Sequence, residues 1–556
     1  MHSTKYCRPL LCLIALAIGQ VASAQAPLTP QERRLPENQI RVLGGGWYDH
    51  ATIWPATGQI VGPLVHVRGQ AQPGADAGEQ QAVVTFDVAS AAQFTPESNQ
   101  VRVSMPSLDG EDLELIFFHC DWRGPDDWTW YGKLADIAVS EVFLARKDRS
   151  FAMIARDHTT PRTWRLEPIG QTEHVLRVLG QNASGGGCQL PSPATIGQMP
   201  PQQRNPPSNG ALTNFVPPAD PSNTVDVLFV STAQAASYVG NLAGFQVLCA
   251  VMVADFNTRA ANSTLTVRLR ISDVRYVADY SESGDGGLDL DRITDDGEGF
   301  LDWVHAERNR KRADLVSLIR LSPWNGTCGS GSWTAGVAWR PDSLSEMQTG
   351  LPNGFDGGYG FSVNSLCNDY AKTFSHEVGH NFGACHDAPQ GGCPASITAS
   401  PHGKVVTCNQ GFGCESWRTT MSYSPGCSLG NSVIAYFSRV NLTLNTGFPC
   451  GSYNMWDSVS QVQGLIATSQ GTLAQNRLAS SQMWAKSGYS GTSSGTFYNP
   501  YPSIRLAANV VAGGPTDGVV RALAGTYNEV AFNGGSPIVI SAGCQIVPDG
   551  GVITLK

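Results

Sequence analysis

The sequence predicts a multidomain protein in which an all-β region precedes an α/β domain and a small β module follows it. Three observations predict this order. Short alternating apolar stretches, separated by Gly, Pro and Asp, fill the region before residue 198. Strand-like and helix-like patterns then alternate in the first half of residues 223–488, as an α/β sheet requires. After residue 488 the composition shifts to Gly, Ser and Pro before two more apolar stretches. With 556 residues, the chain is also too long for one core.

The first segment has the pattern of a secretory signal peptide. Lys5 and Arg8 precede a short apolar run over residues 10–18, and the small residues Ala22-Ser23-Ala24 follow it. The pattern predicts cleavage after Ala24, with residues 1–24 as the signal peptide of a secreted protein. The apolar run is too short to span a bilayer permanently, so no stable membrane insertion is expected.

The next region is expected to be all-β over residues 25–198. Its strand-like stretches cover residues 82–88, 112–119, 129–134, 151–156 and 163–170. Residues 199–222 are rich in Pro, Gln and Asn and are too polar to fold, which predicts a linker.

The most informative motif is HEVGHNFGACHD, which begins at His376. His376 and His380 are four residues apart, so on a helix both imidazoles lie on one face. Gly383 can end that helix with a sharp turn and bring back His386 as a third ligand. Three protein ligands and one open position are typical of a catalytic zinc site, and Glu377 can reach the open side.

A second motif follows the third histidine after a few dozen residues. The segment RTTMSY contains Met421 at the spacing of a Met-turn. Together the two motifs resemble the metzincin zinc metalloendopeptidases. Asp387, directly after the third histidine, with Asn381 and Gly383, resembles the adamalysin or reprolysin-like branch in its secreted bacterial form. The resemblance implies a catalytic domain over residues 223–488, built from a twisted mixed sheet and a helix that carries the zinc site.

The resemblance also implies an activity, that of a zinc-dependent endopeptidase with one catalytic Zn²⁺. Glu377 is expected to take a proton from a water on the zinc and to deliver it to the leaving amine. Met421 is expected to form an apolar floor beneath the three imidazoles. Tyr423 is expected to shape the substrate pocket, and a role as extra ligand or oxyanion donor is the alternative.

An extended substrate is expected to add as a strand to an exposed edge of the sheet. The candidate resembles the edge strand of the family and includes Gly336, Val337 and Ala338. An ordinary interior strand is the alternative.

Relatives carry a propeptide before the catalytic domain. Residues 25–198 are therefore expected to be the inhibitory propeptide of a zymogen, with residues 199–222 as its activation region. A permanent accessory domain is the alternative. The region contains Cys120 and Cys188. A disulfide between them is favoured in an oxidising compartment. The alternative is a cysteine switch, in which Cys120 is the preferred residue to occupy the zinc.

Two further features could be read as metal sites. Five cysteines crowd around the third histidine and the Met-turn, and disulfides are favoured because no pair has CxxC spacing. An acidic run over residues 285–302 could bind Ca²⁺, but its spacing does not fit an EF-hand. It is better explained as the acidic N-terminal flank of a helix over residues 300–311.

The last region, residues 489–556, is expected to be a linker and a small β module. Its segments 519–530 and 537–556 resemble one coil of the parallel β-helix of pectin-lyase-like proteins. One coil cannot bury a core alone, so it should pack on the rest of the protein.

The expected partners are protein or peptide substrates. A net charge of −9 without a basic patch argues against nucleic acid. A surface adhesin or binding protein, in which the metzincin domain is accessory, is the alternative function. The sequence indicates neither the oligomeric state nor the side chain preferred beside the scissile bond.

Overall fold

The structure is a computed structural model that describes most of residues 60–91, 101–188, 224–324, 334–340, 360–387, 482–493, 500–511, 518–528 and 544–555, with short gaps, and short pieces between residues 403 and 438. The predicted signal peptide, the linker at 199–222 and Tyr423 lie outside the described residues.

The first region forms an antiparallel sheet, as its alternating stretches predict. Ten strands follow the order β1-β5-β6-β7-β8-β9-β10-β11-β4-β2, and β3 pairs with β4; β1 and β5 are parallel. The strands are β1 (Ile60–Val61), β2 (Val65–Val67), β3 (Gln72–Pro73), β4 (Gln80–Phe86), β5 (Val101–Met105), β6 (Leu113–Gly124), β7 (Asp127–Leu134), β8 (Ser140–Lys147), β9 (Ser150–Asp157), β10 (Arg162–Ile169) and β11 (Glu173–Leu179).

A second, mixed sheet carries the site, in the order β12-β16-β17-β15-β13-β14. Neighbouring strands are parallel except β16, which runs antiparallel to β17. The strands are β12 (Gly187–Cys188), β13 (Thr224–Ser231), β14 (Arg268–Arg275), β15 (Leu315–Arg320), β16 (Thr334–Ala338) and β17 (Phe361–Ser365). Five helices accompany this sheet in the described residues: α1 (Ala233–Val239), α2 (Leu242–Asn262), α3 (Gly286–Thr294), α4 (Trp303–Lys311) and α5 (Tyr370–Asn381).

Helix α2 has almost no solvent face, since eighteen of its twenty-one residues are buried. A helix that is buried all round lies between other elements rather than on a surface. Its apolar side chains share one hydrophobic cluster with residues of the first sheet and with residues of α5. The two sheets are therefore joined through a common core.

The acidic run folds differently from the sequence-based expectation. Helix α3 begins directly after Asp285, whose carboxylate accepts a hydrogen bond from the backbone N–H of Gly287 at 2.8 Å. Asp289 lies inside this helix, is fully buried and accepts from Arg320 at 2.8 Å. The Gly-Gly start concealed the helix, because glycine is a poor helix former. The helix that was expected from residue 300 begins at Trp303.

The remaining elements are small. A sheet around the Met-turn contains β18 (Val405–Val406), β19 (Trp417–Arg418) and β20 (Ser432–Val433). The C-terminal module is a parallel sheet of β21 (Gln482–Ala485), β22 (Gly518–Tyr527) and β23 (Cys544–Leu555), packed with α6 (Ile504–Val511). Because β21 pairs with β22, the module begins before the boundary expected at residue 489.

Within the described residues, no single helix is long and apolar enough to cross a membrane; α1 and α2 pass that test only as a pair, which bends by 103°.

Candidate metal centre and active site

Helix α5 presents the first two histidines, and its ends follow from local sequence. Asp369 caps the N-terminus by accepting from the backbone N–H of Lys372 at 3.2 Å. At the other end Gly383 adopts φ +83°, a conformation that favours glycine. The chain then turns back, with Gly383 N–H donating to the carbonyl of His380 at 2.7 Å. This turn brings His386 towards the helix, as predicted.

The three histidines converge. The Nε2 atom of His386 lies 3.1 Å from that of His376 and 3.0 Å from that of His380. All three residues are buried, and their ligand atoms lie within 4.8 Å of one another. Tetrahedral zinc, with Zn–N distances of about 2.0–2.1 Å, would hold its ligand nitrogens roughly 3.3 Å apart.

The other ring nitrogens fix the tautomers of two histidines. His376 Nδ1 donates to the carbonyl of Thr420, and His380 Nδ1 donates to that of Ala384, both at 2.8 Å. Since a carbonyl oxygen can only accept, the proton lies on Nδ1 and the Nε2 lone pair faces His386. Lone pairs at such distances repel one another unless a cation lies between them. The donor set therefore fits a divalent metal ion, with each ring oriented by a backbone partner.

The surroundings keep the imidazoles neutral, which is the form that binds metal. Burial, with smaller contributions from the nearby cations Lys372 and Arg418, lowers the pKa of His376 from 6.5 to about 3. Burial and the other two histidines lower the pKa of His380 well below its usual value, with a contribution from Arg340.

Glu377 is fully buried and lies beside the strand expected to bind substrate. A Cβ added at Gly336 of β16 would collide with the carboxylate of Glu377. The helix therefore brings its carboxylate against the backbone of the sheet edge, where only a glycine leaves room. Val337 and Ala338 follow on the same strand and are buried.

Met421 packs against helix α5, where a Cβ built at Gly379 would overlap its Sδ atom. Its side chain is fully buried in the cluster that contains residues of α5. Its neighbour Thr420 supplies the carbonyl that orients His376. Sequence reasoning missed the role of Thr420, because a backbone carbonyl gives no signal in side-chain patterns.

The edge of the mixed sheet is covered by a piece of the preceding region. Gly187 pairs with Thr334 and Cys188 pairs with Gly336, in parallel. Without β12, strand β16 would be the edge strand, as one of the two sequence interpretations expected. Cys188 thus has its backbone at the site, whereas Cys120 lies half-buried on β6 against the core of the first sheet.

The described cysteines include both disulfide-bonded residues and a free thiol. Cys385, next to the third histidine, and Cys367 are disulfide-bonded. Cys249 is buried inside α2 with a free thiol, and burial raises its pKa well above the usual value. Among the described residues, the convergent histidines are the one group of His, Cys, Asp or Glu that could hold a metal ion.

Comparisons with known proteins agree with this geometry. Residues 222–455 match the family model of the reprolysin-like metallopeptidases of family M12B. This segment is a reprolysin-like metallopeptidase domain. The chain is thus a metzincin-like metallopeptidase, a hydrolase of peptide bonds that depends on a metal ion.

Two curated relatives of this metallopeptidase come from bacteria. The chain is 27% identical over 367 residues to a peptidyl-Asp metalloendopeptidase of Xanthomonas campestris pv. campestris, which covers 63% of this chain and 77% of the relative. It is 28% identical over 327 residues to a peptidyl-Asp metalloendopeptidase of Stenotrophomonas maltophilia, which covers 57% of this chain and 66% of the relative.

A solved structure of a metallopeptidase is weakly similar to this chain. The crystal structure of metalloproteinase-II from Bacteroides fragilis has 11% identity and a TM-score of 0.30, and covers 54% of this chain and 84% of that chain.

Proposed function

We propose that this metallopeptidase is a secreted zinc endopeptidase with one catalytic Zn²⁺ held by His376, His380 and His386. The observation that carries the proposal is the convergence of three histidine nitrogens beside a buried carboxylate. When bound, the ion supplies a Lewis acid that polarises the scissile carbonyl and acidifies water. Nitrogen-only ligands of this number suit zinc. The apolar N-terminal run supports export.

The protein groups then handle protons and orientation. Glu377 accepts the proton of the attacking water on its carboxylate and delivers it to the leaving amine. Thr420 and Ala384 hold the rings of His376 and His380 through their carbonyls. Met421 keeps the floor of the site apolar and dry.

Substrate is proposed to add along β16. The strand runs antiparallel to β17 on one side. Its other side, which β12 covers in this structure, would pair with an extended substrate once β12 has left. Such pairing orders a peptide through main-chain hydrogen bonds and lets individual pockets select side chains. Gly336 brings the paired chain close to Glu377.

Peptide bonds next to aspartate are the proposed targets. The relatives named above are peptidyl-Asp metalloendopeptidases. Lys372, Arg418 and Arg340 all lower the pKa of a metal-site histidine. Burial lowers the pKa of Lys372 to about 7, so the positive field that favours an acidic side chain near the site comes mainly from Arg418 and Arg340. Mass spectrometry of peptides cut from a denatured protein mixture tests this, because aspartate at one cleavage position supports it and an even distribution contradicts it.

Latency is proposed to come from the segment Gly187–Cys188. It occupies the side of β16 that substrate would use, so the precursor cannot accept a peptide there. We assign this role to Cys188 rather than to Cys120, which lies against the core of the first sheet. Cutting the linker at 199–222 would free the segment to leave. Exposed, proline-rich linkers are favoured sites of proteolysis.

The experiment that tests the proposed chemistry replaces Glu377. Glu377→Gln should retain one zinc and the fold but lose about 10²–10⁴-fold in kcat, since it can hydrogen-bond but cannot accept the proton. Glu377→Asp should also be slow, because its carboxylate is one methylene short. The control is Glu173→Gln, an exposed acid on the first sheet. A fully active Glu377→Gln variant would contradict the role of Glu377 as the proton acceptor, whereas a wild-type protein that binds zinc and cleaves no peptide would favour a binding protein.

A further inference from the structure

The first sheet and the metallopeptidase domain share a hydrophobic core. Tyr131, Phe143, Ala145, Ala152 and Ile154 of strands β7–β9 lie in the same buried cluster as the apolar residues of α2 and α5. Because these positions alternate along β8 and β9, they form one face of the sheet. The opposite face has its own core. Because both faces of these strands are apolar and buried, removal of the metallopeptidase domain would expose one apolar face to water.

A buried arginine crosses the same interface. Arg156 of β9 is 4% exposed and forms a bidentate pair with Asp369, through Nε at 2.7 Å and Nη2 at 2.5 Å. The same guanidinium also donates to Asp255 of α2 and to Glu141 of β8. Asp369 is the cap of the helix that carries the metal ligands. A removed arginine would leave three carboxylates near one another in a largely buried site.

The network continues to the metal centre. Asp255 accepts from Ser375, which directly precedes His376, and from Arg259 at 2.7 Å. Arg259 donates to Thr420 Oγ1 at 3.1 Å, and the Thr420 carbonyl orients His376. Each link in this chain is a hydrogen bond between buried groups. The first sheet thereby reaches a metal ligand through Arg156, Asp255 and Arg259.

The first sheet also contacts the N-terminal end of α5 directly. Arg165 of β10 donates to the carbonyl of Leu366 at 3.0 Å, and its guanidinium lies 5.0 Å from the ring centre of Tyr370. Tyr370 is the first residue of the helix. Two arginines of the sheet therefore hold the end of the helix that leads to the histidines.

We infer that the first sheet is a permanent part of the active enzyme, and that Arg156 is a positioning residue for the metal-binding helix. The sheet remains bound after the linker is cut, while only the segment around Gly187–Cys188 leaves the cleft. The inference favours the alternative of a permanent accessory domain over an inhibitory propeptide that comprises all of residues 25–198 and is removed on activation. The positioning role rests on the proposed function, whereas the retention of the sheet does not.

Retention is tested with a full-length variant that carries a specific protease site within residues 199–222. After cleavage, the two fragments should co-elute from size exclusion in native buffer at equal amounts and separate only in denaturant. A catalytic fragment that elutes alone while it keeps its zinc and its melting temperature would overturn the inference. This readout does not depend on peptidase activity, so it stands apart from a failure of the proposed function.

Positioning is tested with Arg156→Gln, and with Arg149→Gln as the matched control, an exposed arginine in the turn of the same hairpin. Arg156→Gln should lose zinc to a chelator at least tenfold faster and lower kcat with little change in KM. Arg149→Gln should match the wild type in both. An Arg156→Gln protein with unchanged zinc loss and unchanged kcat would overturn the positioning role.

A conservative variant covers the case in which Arg156→Gln does not fold. Arg156→Lys keeps the charge but cannot bind Asp369 through two nitrogens. It should fold and still lose zinc several-fold faster than the wild type, with a smaller effect than Arg156→Gln where both can be measured. A lysine variant identical to the wild type in zinc loss and kcat would show that the bidentate geometry has no positioning role.

Discussion

Gly379 lies directly against the Sδ atom of Met421. A Cβ built at this glycine would overlap the sulfur and approach the ring of Phe437. The glycine stands one position before His380 in α5, so the Met-turn packs on the helix between its two ligands. Close packing at this point holds the Met-turn against the part of the helix that carries both histidines.

A side chain at Gly379 should therefore disturb the centre. Gly379→Ala would force the Met-turn away from the helix, at a cost of about 1–3 kcal/mol of stability, with a loss of zinc affinity. Thermal unfolding and zinc titration measure both effects. The control is Gly287→Ala, at a helical glycine where the added Cβ would come no closer than 3.3 Å to another residue, at Asp285 Oδ1. Equal effects of the two substitutions would contradict the packing role of Gly379.

Gly336 should affect the chemistry rather than the metal. Gly336→Ala places a methyl group on the carboxylate of Glu377, so kcat should fall by an order of magnitude or more with zinc retained. Val337→Ala on the same strand is the comparison, because it removes core packing and should lower the melting temperature first. Measurements of kcat, bound zinc and melting temperature distinguish the effects of the two substitutions. A Gly336→Ala enzyme with normal kcat would show that the contact is not needed.

The interface of the first sheet should weaken in acid. Burial would raise the pKa of Glu141, but Arg156, with His158 and Arg259, outweighs it and lowers the pKa from 4.5 to about 2. Burial also opposes ionisation of Asp369, yet Arg156 holds its pKa well below 3.8. Depressed pKa values give stability that is complete above about pH 5 and is lost as the pH falls from about 4 towards 2.

The contribution of Arg156 can be isolated by comparing unfolding curves. The melting temperature of the wild type should fall steeply below pH 4, and Arg156→Gln should fall less over the same range. Arg149→Gln should follow the wild type. Parallel curves for wild type and Arg156→Gln would mean that these carboxylates do not depend on Arg156.

The covered edge predicts how the precursor can be activated without cleavage. Proline cannot donate a ladder hydrogen bond, so replacing both Gly187 and Cys188 by proline should release the segment from β16 and raise basal activity. Cys188→Ala alone should stay latent, because the main-chain pairing persists. Peptidase assays of the uncut proteins decide this. A Cys188→Ala protein as active as the double proline variant would show that the Cys188 thiol, rather than the main-chain pairing with β16, keeps the precursor inactive.

The sequence predicts the metal centre well because the motif is local. His376 and His380 are fixed by helix periodicity, and Gly383 supplies the turn that returns His386. These relationships span few residues and need no knowledge of the rest of the chain. The alternating strand and helix patterns likewise predicted an α/β sheet, and the resemblance to metzincins implied that this sheet is mixed.

Contacts between distant segments could not be predicted in the same way. Arg156 meets Asp369 across 213 positions of sequence, and no pattern in either segment indicates the pairing. The Pro-rich composition of residues 199–222 suggested a boundary between two domains. One hydrophobic core nevertheless includes residues from both sides of this segment, because α2 packs against strands β7–β9. Strand β9 does carry a signal, because it has apolar residues on both faces, but in the sequence residues 151–156 indicate only a strand and not what covers it.

The most direct test of the central claim is a zinc titration of the chelated enzyme, with activity and bound metal measured together. Wild-type activity should vanish on chelation and return in proportion to zinc up to one ion per chain. His380→Ala should neither bind that zinc nor regain activity. Full activity in the metal-free protein, or a zinc-loaded and active His380→Ala variant, would contradict the assignment of the three histidines as the catalytic metal site.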